Sequence, residues 1–237
     1  MLAFLLAPSL LSALITCTAA AAVCKPNKDT CKLDGLSIEG LPSTLPVPTL
    51  PLSYVAAAIG VQNYTCSAAG NYSSIGAVAE LYDISCLGGS KLFTTIQDRL
   101  MGLWEDAPNG LTAQKLVSSY TQTKANTVLG DHYFVPNPSG KGGLSPKWDF
   151  TSTGSTKRNK NAFVIVEKVG GATAPTGKQD VDWLATKSVS GGLAGLVYRT
   201  DTRQGQPPAS CVPGQSPNIQ VKYASKYWFF GGSVHHK

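Results

Sequence analysis

Two segments that each run into a cysteine constrain this chain most. They are Gly60-Val61-Gln62-Asn63-Tyr64-Thr65-Cys66 and Gly76-Ala77-Val78-Ala79-Glu80-Leu81-Tyr82-Asp83-Ile84-Ser85-Cys86. A polar run, Ala69-Gly70-Asn71-Tyr72-Ser73-Ser74, separates them. Two strand-like segments around a short polar turn predict a hairpin whose strands end on Cys66 and Cys86. Upstream, Val55, Ile59 and Val61 are candidate core residues, but the run from Ser53 to Cys66 is Ala-rich and does not alternate cleanly.

Further strands are expected at Val128 to Val135, Trp148 to Thr151, Ala162 to Val169, Asp182 to Ser188, Gly195 to Thr200 and Ile219 to Phe230. Turn formers bound each of them. Ile219, Val221 and Tyr223 fall on one face of the last, with Gln220 and Lys222 on the other. The period changes between Lys91 and Trp104, where Leu92, Phe93, Ile96, Leu100, Leu103 and Trp104 recur at helical spacing. Ser90 can cap that helix, and Pro108-Asn109-Gly110 ends it. A second short helix is expected over Leu111 to Tyr120, capped by Thr112. The fold class is therefore mainly β: an antiparallel sandwich or barrel-like single domain over residues 53–237. A helical insertion at about 90–124 covers one end or edge of its sheet.

Residues 23–52 read as an N-terminal strap. Pro42, Pro46, Pro48 and Pro51 hold its second half extended, because proline fixes φ and removes a backbone donor. Residues 1–22 read as a signal peptide. They carry no charged side chain, Leu2 to Ile15 is apolar, and Ala20-Ala21-Ala22 offers the small residues of a cleavage site. No later apolar run has the length of about 20 residues that a spanning helix needs. The predicted location is extracellular or cell-wall associated, without an integral membrane segment.

Charge and turn content agree with that class. Only 14% of residues are charged, against 24 Gly and 15 Pro, which suits a secreted β-protein. The net charge of +6 is too modest to imply nucleic acid, and no nucleic-acid partner is expected. Asn63-Tyr64-Thr65 and Asn71-Tyr72-Ser73 are N-glycosylation sequons, with Asn71 favoured by its turn position. An outward Asn63 would turn Gln62 and Tyr64 inward.

Once the signal is removed, five cysteines remain: Cys24, Cys31, Cys66, Cys86 and Cys211. An odd count predicts two disulfides and one spare thiol. Cys24 and Cys31 can close a small loop. Alternatively Cys24 is spare and the other four form two longer bridges. Cys66 and Cys86 bond either to each other or separately to Cys31 and Cys211. None lies in a Cys-x-x-Cys pair, so zinc-ribbon and thioredoxin-type sites lack their spacing.

Residues able to do chemistry are few. His235 and His236 end the chain, which leaves His132, in Gly130-Asp131-His132-Tyr133-Phe134, as the weak catalytic candidate. Asp131 precedes it but should face the opposite way on a strand. No Gly-x-Ser-x-Gly elbow supplies a nucleophile. Glu80 and Asp83 are three apart and point to opposite faces, so they do not form a glycosidase pair. No metal-ligand spacing, phosphate loop or dinucleotide fingerprint occurs, and no cofactor is expected. Tyr223, Tyr227, Trp228, Phe229 and Phe230, with Trp148 and Trp183, are either core or a sugar-stacking face.

Several segments resemble one family in order along the chain. They are Gly60 to Cys66, Ala79-Glu80-Leu81-Tyr82-Asp83, Gly130-Asp131-His132-Tyr133-Phe134, Lys147-Trp148 and Asp182-Trp183-Leu184. Tyr198-Arg199-Thr200-Asp201-Thr202, Pro208-Ala209-Ser210-Cys211 and Val221 to Phe229 continue the series. Together they resemble domain-of-unknown-function family 3455, found in fungal secretomes and in bacteria. The cysteine-containing elements look like the fungal branch. The resemblance implies a secreted β-rich domain and brings no catalytic residues. A malate dehydrogenase label on some fungal relatives finds no dinucleotide fingerprint here.

These readings favour a secreted, disulfide-stabilised, non-enzymatic β-domain. It would bind cell-wall polysaccharide or a host or environmental surface component. A secreted hydrolase using His132 with acids brought near by folding is the alternative. A virulence or elicitor-type protein recognised by a host is a third.

Overall fold

The computed structural model describes residues 33–108, 110–113, 115–116 and 128–234. Cys24, Cys31, the signal segment and most of the second expected helix lie outside them. Eight antiparallel strands, each paired with its neighbours in sequence, close into a barrel. They are β1 (Leu52–Cys66), β2 (Tyr72–Asp83), β3 (Val128–Pro136), β4 (Leu144–Asp149), β5 (Phe163–Ala172), β6 (Trp183–Ser190), β7 (Leu196–Gln204) and β8 (Ile219–Phe230). Among the described residues one helix is complete, α1 (Lys91–Glu105), between β2 and β3. The second expected helix begins after it: residues 113 and 115–116 are helical, and Thr112 Oγ1 accepts from Lys115 N at 3.2 Å, as the expected cap should. The sandwich alternative is thereby excluded.

β1 explains the closure. It pairs with β2 on one side and β8 on the other, with twelve matched residues along β8 from Leu52 to Tyr64. The strand does not alternate because both of its faces are buried. Tyr54, Ala56 and Ala58 point into the barrel. Val55 and Ala57 pack outward with Trp228 and Phe93, and Ile59 packs with Met101 and Trp104. Its small inner residues, with Ala79 on β2, leave room for the large rings of Trp148, Phe150, Tyr223, Tyr227 and Phe229. At Gly60 a Cβ would lie 2.0 Å from the Val78 carbonyl oxygen, so the approach of β1 to β2 admits only glycine.

A closed barrel has no edge for a helix to cover, and α1 packs instead on the outer wall. Phe93, Met101 and Trp104 are buried there, and Trp104 Nε1 donates to the Gly60 carbonyl at 2.7 Å. The Ser90 hydroxyl accepts from Phe93 N and caps the helix start, as the sequence predicts. At the other end Lys222 Nζ donates to the carbonyls of Trp104 and Ala107 at 2.7 and 3.0 Å. A cation at a helix C-terminus also opposes the helix dipole. The proline-rich strap lies on the same outer wall, where Leu45 is buried and Tyr198 Oη donates to the Pro46 carbonyl.

The hairpin differs from its sequence reading at both turns. β2 begins at Tyr72, inside the expected turn, and ends at Asp83 before reaching Cys86. Cys86 sits in a short 3-10 turn, Ser85–Leu87. Asp83 Oδ1 accepts from Ser85 N, and Ser85 Oγ accepts from Val55 N, which bends the chain off the ladder. Cys66 is bonded to Cys211, with Cα atoms 5.9 Å apart, so no Cys66–Cys86 bond forms. Cys86 is disulfide-bonded as well.

Candidate functional site

The two ends of the barrel are filled differently. At one end Tyr54, Leu129, Phe150, Leu193 and Phe229 are fully buried and plug the interior. At the other the loops 67–71, 137–143, 173–182 and 205–218 form the rim of a mouth, narrowed where Asp180 bridges to Gly205 and Val181 packs into the core. The Cys66–Cys211 disulfide ties the end of β1 to the β7–β8 loop on this rim. Between plug and rim lies a cavity of about 40 Å³. Its volume suits a few water-sized groups.

Every strand except β5 contributes to the wall. Gln62 comes from β1 and Ala77 from β2. His132 and Phe134 come from β3, Pro146 and Trp148 from β4, and Tyr227 from β8. Leu184 and Thr186 of β6 face Val197 and Arg199 of β7. Period-two alternation places them all inside, and the chain closure brings them together.

His132 is buried in this wall. Its ring stacks on Trp148, with centroids 4.5 Å apart and an interplanar angle of 13°. Nδ1 lies 2.9 Å from the Lys147 carbonyl. A carbonyl only accepts, so Nδ1 carries the proton and Nε2 is left as an acceptor. Burial pushes its pKa down to about 4, with the nearby Arg199 charge acting in the same direction and the Lys147 bond opposing. The imidazole is therefore neutral at neutral pH.

The acids expected near His132 are elsewhere. Asp131 pairs with Glu80 across β2 and β3 on the outer wall, while His132 pairs with Ala79 inside. Burial first, and then the Asp131 charge, push Glu80 up to about 7. Asp83 is engaged with Ser85 N. The late aromatics are all buried: Tyr223, Tyr227 and Phe229 inside, Trp228 and Phe230 under the strap and helix. Among the described residues no aromatic row is exposed, and no group of three or more metal-ligating side chains occurs.

Arg199 is the charged group that sequence reading passed over. Its Nε and Nη2 donate to the Asp182 carbonyl at 3.0 and 2.8 Å, which fixes the guanidinium plane at the mouth. Two buried donors beside it also lack partners. Gln62 lies near the Tyr223 hydroxyl, yet its Nε2 completes no hydrogen bond, and neither does Trp148 Nε1. The signal for Arg199 was its place two residues after Val197, which makes it a charge at an inward strand position. Gln62 faces inward, as an outward Asn63 requires of its neighbour.

The two sequons differ in setting. Asn71 is exposed on the rim loop. Asn63 is half-buried on the outer face of β1, where its Oδ1 accepts from Gln220 Nε2 at 3.2 Å.

A family model matches residues 46–231, from the strap through the last strand. The chain belongs to the family described as protein of unknown function (DUF3455). The match spans all eight strands and every residue of the cavity wall, so the DUF3455 region contains the whole candidate site. No curated protein and no solved structure matches the chain significantly.

Proposed function

We propose that this chain is an exported, non-enzymatic binding protein that takes its ligand into the cavity below the rim of the barrel. It would act at a fungal wall or at a host or environmental surface. The cavity carries this reading. Partnerless buried donors on Gln62 and Trp148 share it with a fixed guanidinium and apolar walls. A few convergent polar groups in an otherwise apolar, preformed pocket is the usual make-up of a small-molecule site. Export is supported by the signal-like residues 1–22 and by the Cys66–Cys211 bond, since disulfides persist in oxidising compartments. Asn71 on the rim is the position best open to glycosylation.

The cavity does not favour hydrolysis. His132 hydrogen-bonds to a backbone carbonyl, and no carboxylate or nucleophilic hydroxyl among the described residues is bonded to it. Sugar stacking on an exposed aromatic row is equally unsupported.

The test uses the oxidised, full exported chain. Its indole N–H resonances are followed by NMR against a small-molecule set, and its retention is measured on chitin, glucan, plant wall and anionic vesicles. Saturable shifts of the Trp148 indole are expected. Ligand binding that leaves the mouth unmoved, or no binding at all, overturns the proposal.

A further inference from the structure

We infer that the ligand of the barrel mouth is a carboxylate, held by Arg199 and assisted by Gln62 and Trp148. This rests on the mouth being a ligand site and assigns the chemistry it takes.

Arg199 is the one formally charged side chain in the cavity wall. It has no carboxylate within ion-pair distance among the described residues, and its Nη1 makes no hydrogen bond there. The guanidinium is half-buried, and no side chain in the wall balances its charge, so an anion reaching it replaces water and gains a charge-assisted partner. The guanidinium plane is already fixed by the Asp182 carbonyl, so its remaining N–H edge is preorganised for a planar two-oxygen partner.

Two further unfilled groups in the wall, on Gln62 and Trp148, have the same polarity. Gln62 is 5% exposed and Trp148 is 3% exposed; Trp148 Nε1 has no acceptor, and the Gln62 amide has only the Tyr223 hydroxyl near it, without a completed hydrogen bond. A buried donor without a partner carries the full cost of its desolvation. An acceptor-rich ligand relieves all three. His132 is neutral and adds no charge, and its unprotonated Nε2 is the one acceptor that the carboxylate oxygens must avoid.

A second cation stands at the entrance. Gly171 pairs with Leu184, a cavity residue, and a Cβ at Gly171 would lie 2.8 Å from Lys168 Nζ. The ammonium therefore lies over Gly171 beside Leu184, in space that the missing side chain leaves open. Lys168 is exposed, so its part is to draw an anion towards Arg199 and not to bury with it.

Size and wall chemistry select the anion. About 40 Å³ takes a carboxylate with a carbon or two, and a longer body would continue into the ring of loops. Phe134, Pro146, Leu184 and Val197 offer apolar contact to such a tail. Phosphate and sulfate have no apolar part to use these walls and need more donors than the mouth supplies.

The test titrates the full oxidised chain with sodium propionate and, separately, with its neutral isostere propionamide, at constant ionic strength. Sodium phosphate and sulfate are parallel arms. The readouts are the Trp148 indole and Arg199 Nε resonances. Propionate is expected to saturate both, and propionamide to bind about tenfold or more weakly. Arg199→Gln should lose about the same factor, with its fold checked by circular dichroism. Lys168→Ala should weaken binding about twofold to threefold and flatten its salt dependence. Should Arg199→Gln fail to fold, the propionate–propionamide comparison and Lys168→Ala still decide. Equal binding of acid and amide, or tighter binding of phosphate or sulfate, overturns the carboxylate assignment while leaving a ligand site. No shift at the mouth with any of these, or with the broader compound set, overturns both.

Discussion

The imidazole of His132 lies face to face with the indole of Trp148 inside the barrel, and burial holds its pKa near 4. The unfolded chain takes up a proton near pH 6.5 that the folded chain refuses until about pH 4. This group's stability is complete above about pH 6.5 and is lost as pH falls towards 4, by about 3 kcal/mol. His132→Phe keeps a ring against Trp148 and removes the titration. Urea melts at pH 4.5 and 7 should show a smaller loss on acidification than in the parent. Parallel losses in the two proteins would rule out His132 as the source.

Glu80 works in the opposite direction. Its folded pKa is raised from 4.5 to about 7, so its contribution is best at acid pH and is lost as pH rises through 7. Glu80→Gln should be more stable than the parent at pH 8 by about 2–3 kcal/mol and should converge with it near pH 4. Denaturant midpoints across that range read the difference directly. A constant offset at every pH would mean that packing, not ionisation, separates the two proteins.

Gly60 tests the small-residue wall. Gly60→Ala puts a methyl 2.0 Å from the Val78 oxygen and 2.6 Å from Ala79 Cα, and both are backbone atoms that cannot swing aside. The strands must separate, at a cost of about 3 kcal/mol or more. A melting temperature within error of the parent would contradict this.

The rim disulfide spans 145 residues of sequence. Cys66→Ser with Cys211→Ser should destabilise by up to about 5 kcal/mol through the freed unfolded chain. The mouth should loosen before the plugged end does. Hydrogen exchange would show this as faster amides at 62–66 and 205–211 than at 54–58, and uniform acceleration would count against a local anchor.

Much of the barrel could be read from local pattern. Residues 219–230 were bounded correctly, and the helix starting at Ser90 was found from its cap and its period. Closure was harder to read. Ala56, Ala57 and Ala58 look like weak propensity, yet they are one strand buried on both sides, a requirement set by α1 and the strap. Sheet-breaking contacts of Ser85 ended β2 early, and nothing in its own strand-like sequence announced them. The mouth was legible only in pieces. His132 stood out for its rarity and Gln62 for its neighbour's sequon, while Arg199 stayed hidden because its importance depends on strands far away in sequence.

The β1–β8 ladder has a bearing on how such a chain is made. A polypeptide synthesised from its N-terminus presents Leu52–Cys66 early and Ile219–Phe230 late. Until the late segment arrives, β1 has an unpaired margin and apolar side chains on both surfaces, a template for cross-chain strand addition. The yield of folded protein should therefore depend on chaperones that shield nascent β1. Chains truncated before residue 219 should be recovered as aggregates, not as smaller barrels.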